Sequence, residues 1–408
     1  MGDADFRGLL YATTSSAAGV AIARIAIPLT VIITLHGGPL EAGITSALLT
    51  APFFLIGLPA GAWVDRLPKR RLLLVCQAGR GAILLTIPVA WWLGILSFWY
   101  LYAVVLLFGA LNVFYDVAYQ SYLPTLVGRE KVLDGNSRLE SIRQVVALGG
   151  PAFGGQLVAA LTAPVAFVTT SVGLMFSSLF LSRIKRPETT PVRNPRQNIW
   201  AEARDGIVYL WSNAYLRSIA VSTGWLNLTG MAAYTVTMVL LASTLRLSPG
   251  AIGLFFSVVG VGGIAAAFTV NRINRFLGAG RSMWLVLLVG SPFALVLPAV
   301  DNGWTLWVGA FANAVVAFMT VVYNVTEVSY TQAVTPDGKL GRVNASMRFV
   351  TWSMMPLGSL LGGFVADLAG TRAGLLICAV AGCLAFVPVW LSPWRRTREL
   401  PAVTVAGV

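Results

Sequence analysis

Two acids, Asp116 and Glu327, stand inside long apolar runs, as do the cations Arg24 and Arg80. An ionisable group among apolar neighbours is costly to desolvate, so it marks either a path for charge or a fixed partner. Helical spacing puts Asp116 on one face with Asn112, Tyr115 and Tyr119, and Glu327 on another with Thr320, Tyr323, Asn324 and Thr331. Both faces are too polar for lipid. A carboxyl so placed can take up and release a proton, and Glu327 is the better candidate for proton coupling. Asp116 competes equally for a structural use, and Glu327 has an alternative as fixed partner of Arg24. Arg80 and Arg143 fall where long side chains can snorkel or pair, and Glu140 lies near an interface, so structural roles are expected for all three.

Other chemistries lack their residues. There is no phosphate-cradling glycine loop, no metal-ligand spacing and no nucleophile with a base beside it. Cys76, Cys378 and Cys383 lie in apolar runs and read as small packing residues. His36, beside Gly37 and Gly38, reads as a turn residue. No cofactor and no metal are expected, and the chain is not expected to be an enzyme.

The elements that must hold these residues follow from composition. Of 408 residues, 57% are hydrophobic and only 11% charged, against roughly a quarter charged in soluble proteins. Apolar runs fall at about twelve places, roughly 7–35, 40–64, 72–96, 99–125, 137–161, 164–184, 214–245, 250–272, 282–300, 304–334, 342–369 and 372–394. These are unbroken rather than alternating, which predicts helices and excludes a barrel. The expected fold is an all-α membrane protein. Met1 to Arg7 has no basic region before a cleavage site, so the first run is expected to be a retained span.

The net charge of +13 has a topological source. If both termini are cytoplasmic, the inner loops, helix ends and tails collect all 29 Lys and Arg residues except Arg24, Arg80, Arg246 and Arg372. Nucleic acid is not needed as a partner to explain the basic balance.

The polar interruption from Arg183 to Asn213 splits the spans six and six. The expected organisation is an N-terminal six-helix bundle at 1–184, a cytoplasmic linker with an amphipathic helix at 185–213, a C-terminal six-helix bundle at 214–394 and a cytoplasmic tail at 395–408. The halves repeat with a shift of 208, which carries Asn136, Gly154 and Gly155 onto Asn344, Gly362 and Gly363, and Tyr115 onto Tyr323. A six-plus-six duplication is the geometry of alternating access.

Two motifs sharpen this. Gly57-Leu-Pro-Ala-Gly61-Ala-Trp-Val-Asp65-Arg66-Leu-Pro68-Lys69-Arg70-Arg71 resembles the loop signature G-x-x-x-D-R-x-G-R-R of the major facilitator superfamily, with Pro68 in place of the usual glycine. Gly150-Pro151-Ala-Phe-Gly154-Gly155 matches the core of a fifth-helix signature that resembles proton-coupled antiporters of that superfamily. Tyr119 to Arg129 and Asp205 to Arg217 look like its enterobactin-exporter and macrolide-efflux branch. The resemblance implies two pseudo-symmetric bundles, with gating by Asp65, Arg66, Lys69 and Arg70 at the inner loop and by Gly150, Pro151, Gly154 and Gly155 in the fifth span, and it offers Lys69 or Arg70 as the structural partner of Asp116. Since helices one, four, seven and ten line the cavity in this fold, it also implies a substrate surface of Arg24, Asn112, Tyr115, Tyr119, Trp225, Asn227, Tyr323 and Asn324.

The resulting expectation is a monomer in the inner (cytoplasmic) membrane, exporting an amphiphilic drug, antibiotic or siderophore against protons. The alternatives are uptake or uniport by the same fold, and a non-transporting receptor or scaffold, against which the two intramembrane acids weigh.

Overall fold

Backbone in a bilayer has no water to bond, so each apolar run must close its hydrogen bonds internally as a helix. The computed structural model describes residues 4–65, 67–127, 132–184 and 199–396, and among these there is no strand. Among the described residues twelve segments are long and apolar enough to cross a membrane, from Asp5–Thr34 to Thr371–Trp390. The chain is an all-α, multi-pass membrane protein.

It resolves into two compact units. The first holds α1 (Ala4–Leu29), α2 (Pro39–Asp65), α3 (Lys69–Trp92), α4 (Phe98–Val127), α5 (Val132–Leu161) and α6 (Ala163–Ser182). In it α1 packs on α5 and α6, α2 on α4, and α3 on α4 and α6. Phe6, Leu9, Leu73, Tyr115 and Tyr122 belong to its core. The segment Leu241–Ser257 packs with this unit, a departure from a plain division at the linker.

The second unit holds α7 (Ile199–Ser212), α8 (Ala214–Val239), the part of α9 (Pro249–Leu277) from Val258 onward, α10 (Ala279–Gly290), α11 (Trp304–Val334), α12 (Asp337–Trp352), α13 (Met354–Ala369) and α14 (Thr371–Cys383). Here α8 packs on α13 and α14, α10 on α11, and α7 on α12. Not every span here is plain α-helix. After α10 the chain tightens into a 3-10 helix over Ser291–Ala299, which carries Pro292 and Pro298. The eleventh span divides into α12 and α13 at Ser353, where Pro356 has no N–H for the carbonyl of Trp352. Trp394 closes this unit: it is fully buried, donates from Nε1 to Tyr215 O at 3.3 Å and lies edge-on to Tyr215 and Tyr330.

The duplication is written in the backbone. A five-residue π-helical turn ends the first span of each half, Thr30–Thr34 after α1 and Leu240–Thr244 after α8. Left-handed residues then follow at matched places: His36 with Arg246, Gly94 with Gly303, and Thr162 with Gly370. Packing repeats too. A Cβ at Gly154 would come 3.2 Å from Ile22 Cα, and one at Gly362 would collide with the backbone of Ala232, so each glycine lets its helix approach the first helix of its own half.

Candidate functional site

The inner loop motif is partly described. Asp65 closes α2, but its side chain and all of Arg66 lie outside the described residues. Lys69 and Arg70 open α3 and are half-buried. Arg70 donates from Nε to Leu181 O at 3.3 Å and from a terminal nitrogen to Ser182 O. These are the last carbonyls of α6, a helix end that favours a cation.

Above it, Arg80 departs from expectation, since it does not snorkel and among the described residues pairs with no acid. Its side chain is 1% exposed, and its guanidinium lies 5.1 Å from the Phe108 ring centre and 5.0 Å from that of Tyr115. One terminal nitrogen donates to Gln77 Oε1 at 2.9 Å, Gln77 donates in turn to Ser177 Oγ at 2.7 Å, and Nε has no hydrogen-bond partner among the described residues. The reason is geometric: α4 and α6 cover this face of α3, so the side chain meets aromatic rings before it meets water. The Gln77 and Arg80 spacing of three residues was the available signal for this cluster.

On α4, Tyr115 and Tyr119 are buried and stacked with ring centres 5.8 Å apart. The Tyr119 hydroxyl bonds Thr13 Oγ1 at 3.2 Å, and Arg143 lies over its ring at 5.1 Å. Asn112 donates from Nδ2 to Asp116 Oδ2 at 3.3 Å, and both are half-buried. Arg24 on α1 is exposed.

On α11, Tyr323 is fully buried and its hydroxyl bonds Thr223 Oγ1 of α8 at 3.0 Å, so in this conformation it ties two helices together. Asn324 is exposed, while Glu327 is only 8% exposed. Among the described residues none makes an ion pair with Glu327. Next to it Thr326 joins a network: Asn274 donates from Nδ2 to Thr326 Oγ1 at 2.9 Å, and Ser282 donates to Asn274 Oδ1 at 2.6 Å. Asn274 lay beyond the eighth span as read from sequence, because the helix continues past the charges Arg272 and Arg275 to Leu277.

Trp225 and Asn227 do not form one surface. Two residues apart on α8, they point to different neighbours. Trp225 donates from Nε1 to Ala381 O of α14 at 2.7 Å, and Asn227 donates from Nδ2 to Thr351 O of α12 at 2.9 Å.

In α5, Pro151 deprives the helix of one donor, and the N–H of Ala152 bonds the Ser257 hydroxyl at 3.0 Å. Beside this break Gly155 and Gly253 touch reciprocally: a Cβ on Gly155 would come 2.9 Å from Gly253 Cα, and one on Gly253 would lie 3.0 Å from Gly155 Cα. Gly150 abuts Ala21 of α1. Among the described residues no three His, Cys, Asp or Glu side chains gather as a metal site.

Comparison with known proteins places this arrangement. The family described as transmembrane secretion effector matches residues 2–403. The enterobactin exporter EntS of Salmonella choleraesuis is 24% identical over 98% of this chain and 96% of its own. The multidrug efflux pump Tap of Mycolicibacterium fortuitum is 25% identical over 96% of each. Among solved structures, the nucleoside transporter NupG superposes with a TM-score of 0.74 at 12% identity, covering 96% of this chain and all of that one. A bacterial homologue of the iron transporter ferroportin, in an inward-facing state, gives 0.73 at 16% identity over 94% of this chain and 98% of that one. The likeness of these two is one of fold.

Proposed function

Because the chain belongs to the transmembrane secretion effector family and is a major facilitator efflux transporter, we propose that it exports an amphiphilic small organic compound in exchange for protons by alternating access. The observation that carries the coupling is Glu327, a carboxyl almost fully buried within a membrane span and without an ion pair among the described residues. A charge there is costly and a neutral acid is not, so the group gains most from a proton it can later release. The proton enters from outside and leaves to the cytoplasm while the substrate moves the other way. Asp116 is the second acid. The relatives named for enterobactin and for multidrug efflux support a cargo of the siderophore, antibiotic or drug class.

The gate is assigned to Asp65, Arg66, Lys69 and Arg70 at one end and to Gly150, Pro151, Gly154 and Gly155 in α5. The Pro151 break and the Gly155–Gly253 contact support the second assignment, since a helix with a missing bond bends where small residues leave room. Arg24, Asn112 and Asn324 are accessible enough to meet substrate, while Tyr115, Tyr119 and Tyr323 shape the walls behind them. Both termini are assigned to the cytoplasm from the Lys and Arg bias.

The test is transport in inside-out vesicles with an acidified lumen. The native protein should accumulate substrate in the lumen. Glu327→Gln, which keeps the shape but cannot titrate, should still bind and exchange substrate yet fail to concentrate it. Full accumulation by this variant at equal abundance would remove Glu327 as the carrier.

A further inference from the structure

The second unit has a cavity apart from the residues assigned to export. It holds about 280 Å³ between α7 and the first turns of α12, lined by Asp205, Val208, Tyr209, Ser212, Lys339 and Arg342. Lys339 lies over the Tyr209 ring with Nζ 4.5 Å from its centre. Arg342 meets Asp205 at 3.7 Å, a loose pair between exposed side chains. Such pairs are worth little, so a better anion can displace the carboxylate. The Tyr209 hydroxyl makes no hydrogen bond among the described residues.

Among the described lining residues two cations stand against one acid, and a guanidinium, an ammonium and a phenol suit the oxygens of a phosphate. The rim is apolar. Val208 is 59% and Trp211 42% exposed, and their spacing puts them on one face of α7. Leu210, on the opposite side, is buried in the core of the unit and holds the helix down. An exposed indole beside a basic pocket, on a helix flanking membrane spans, is what the headgroup level of a bilayer favours.

We propose that the cavity between α7 and α12 binds the headgroup of an anionic phospholipid, with Lys339 and Arg342 on the phosphate and Val208 and Trp211 against the acyl chains. The linker helix is thereby fastened to the membrane surface and to the eleventh span at once. The proposal needs only the membrane setting and stands whether or not export is coupled to protons.

Full-length protein in detergent would be titrated with phosphatidylglycerol, with phosphatidylcholine and with inorganic phosphate, and bound lipid counted by native mass spectrometry. Phosphatidylglycerol should be retained over phosphatidylcholine, and Lys339→Gln and Arg342→Gln should each weaken retention about fivefold, as one basic residue at an anionic surface is worth. Asp205→Asn, which removes the competing carboxylate, should strengthen it, a gain that misfolding does not produce. Equal retention of the two lipids, or undiminished phosphatidylglycerol binding by the double glutamine variant, would overturn the proposal. Protection of the native protein by inorganic phosphate equal to that by the lipid would overturn the lipid as occupant.

Discussion

Replacing Arg80 by methionine removes a buried guanidinium while keeping an unbranched side chain of similar reach. The bond to Gln77 contributes about 1.5–3 kcal/mol as a hydrogen bond from a charged donor. The contacts with Phe108 and Tyr115 add about 1–2 kcal/mol each when desolvated. Against them stand the several kcal/mol of dehydrating a cation and about 1–3 kcal/mol for the orphaned Nε. Methionine in turn leaves Gln77 Oε1 short of a donor. The terms cancel to within about 2 kcal/mol, so the thermal midpoint of Arg80→Met should move little in either direction. Transport should respond differently, because Arg80 lies within electrostatic reach of Asp116. At an effective dielectric constant of about 20, a unit charge within such reach acts with about 1–2 kcal/mol. That is enough to change a rate about tenfold. Purified variants in nanodiscs, unfolded with tryptophan fluorescence as the probe, give the first quantity, and vesicle transport gives the second. Arg80→Lys, which retains charge but not the planar stacking, should restore part of the rate. If Arg80→Met unfolded many degrees lower with transport per folded molecule intact, the buried cation would be structural and the reasoning wrong.

Three further outcomes follow from particular contacts. Thr223→Val and Tyr323→Phe should each destabilise by about 1–3 kcal/mol by orphaning a buried hydroxyl, and the double variant by less than the sum; strict additivity would mean the 3.0 Å bond is not made. Gly155→Val should lower transport and destabilise by about 1–3 kcal/mol as overpacking against Gly253, whereas unaltered behaviour would show that this contact opens freely. Single cysteines near Pro68, Asn194 and Asp337, in a chain freed of its three native cysteines, should label only from the cytoplasm, and those near Gly38 and Asn302 only from outside; labelling of both groups from one side would discard the assigned topology.

The spans and the duplication were legible because both rest on local signals. An apolar run long enough to cross a bilayer has one available form, and a turn that needs a left-handed residue keeps that need in each copy. His36 illustrates this: read from sequence as a turn residue, it has φ 53° and pairs with Arg246 at φ 51°. The copies differ where the inner loop motif departs from its pattern. Gly278, at φ 76°, precedes α10, while Pro68, at φ −60°, precedes α3 in the corresponding place. What stayed hidden is tertiary. Nothing in the sequence says that α4 and α6 seal Arg80 from water, or that Trp225 and Asn227 are committed to α14 and α12. Asn274 was missed because two arginines looked like a membrane boundary, although the helix runs through them.

The two acids are not symmetry mates, and this bears on which of them moves a proton. Under the repeat shift Asp116 falls on Asn324 and Glu327 falls on Tyr119, so each half has an acid where the other has a neutral polar group. The threonine of the first helix marks the same difference of one turn, since Thr13 bonds Tyr119 whereas Thr223 bonds Tyr323. In the first unit Asn112 donates to Asp116 and Arg80 stands within electrostatic reach, so a charge there is met by a donor and a cation. In the second unit Glu327 is more deeply buried and meets no cation among the described residues. A charge that is met can remain through a conformational change; one that is not must be neutralised whenever the site closes. Duplication thus supplied two similar frames, and divergence at these paired positions supports a fixed negative charge in one and an exchangeable proton in the other.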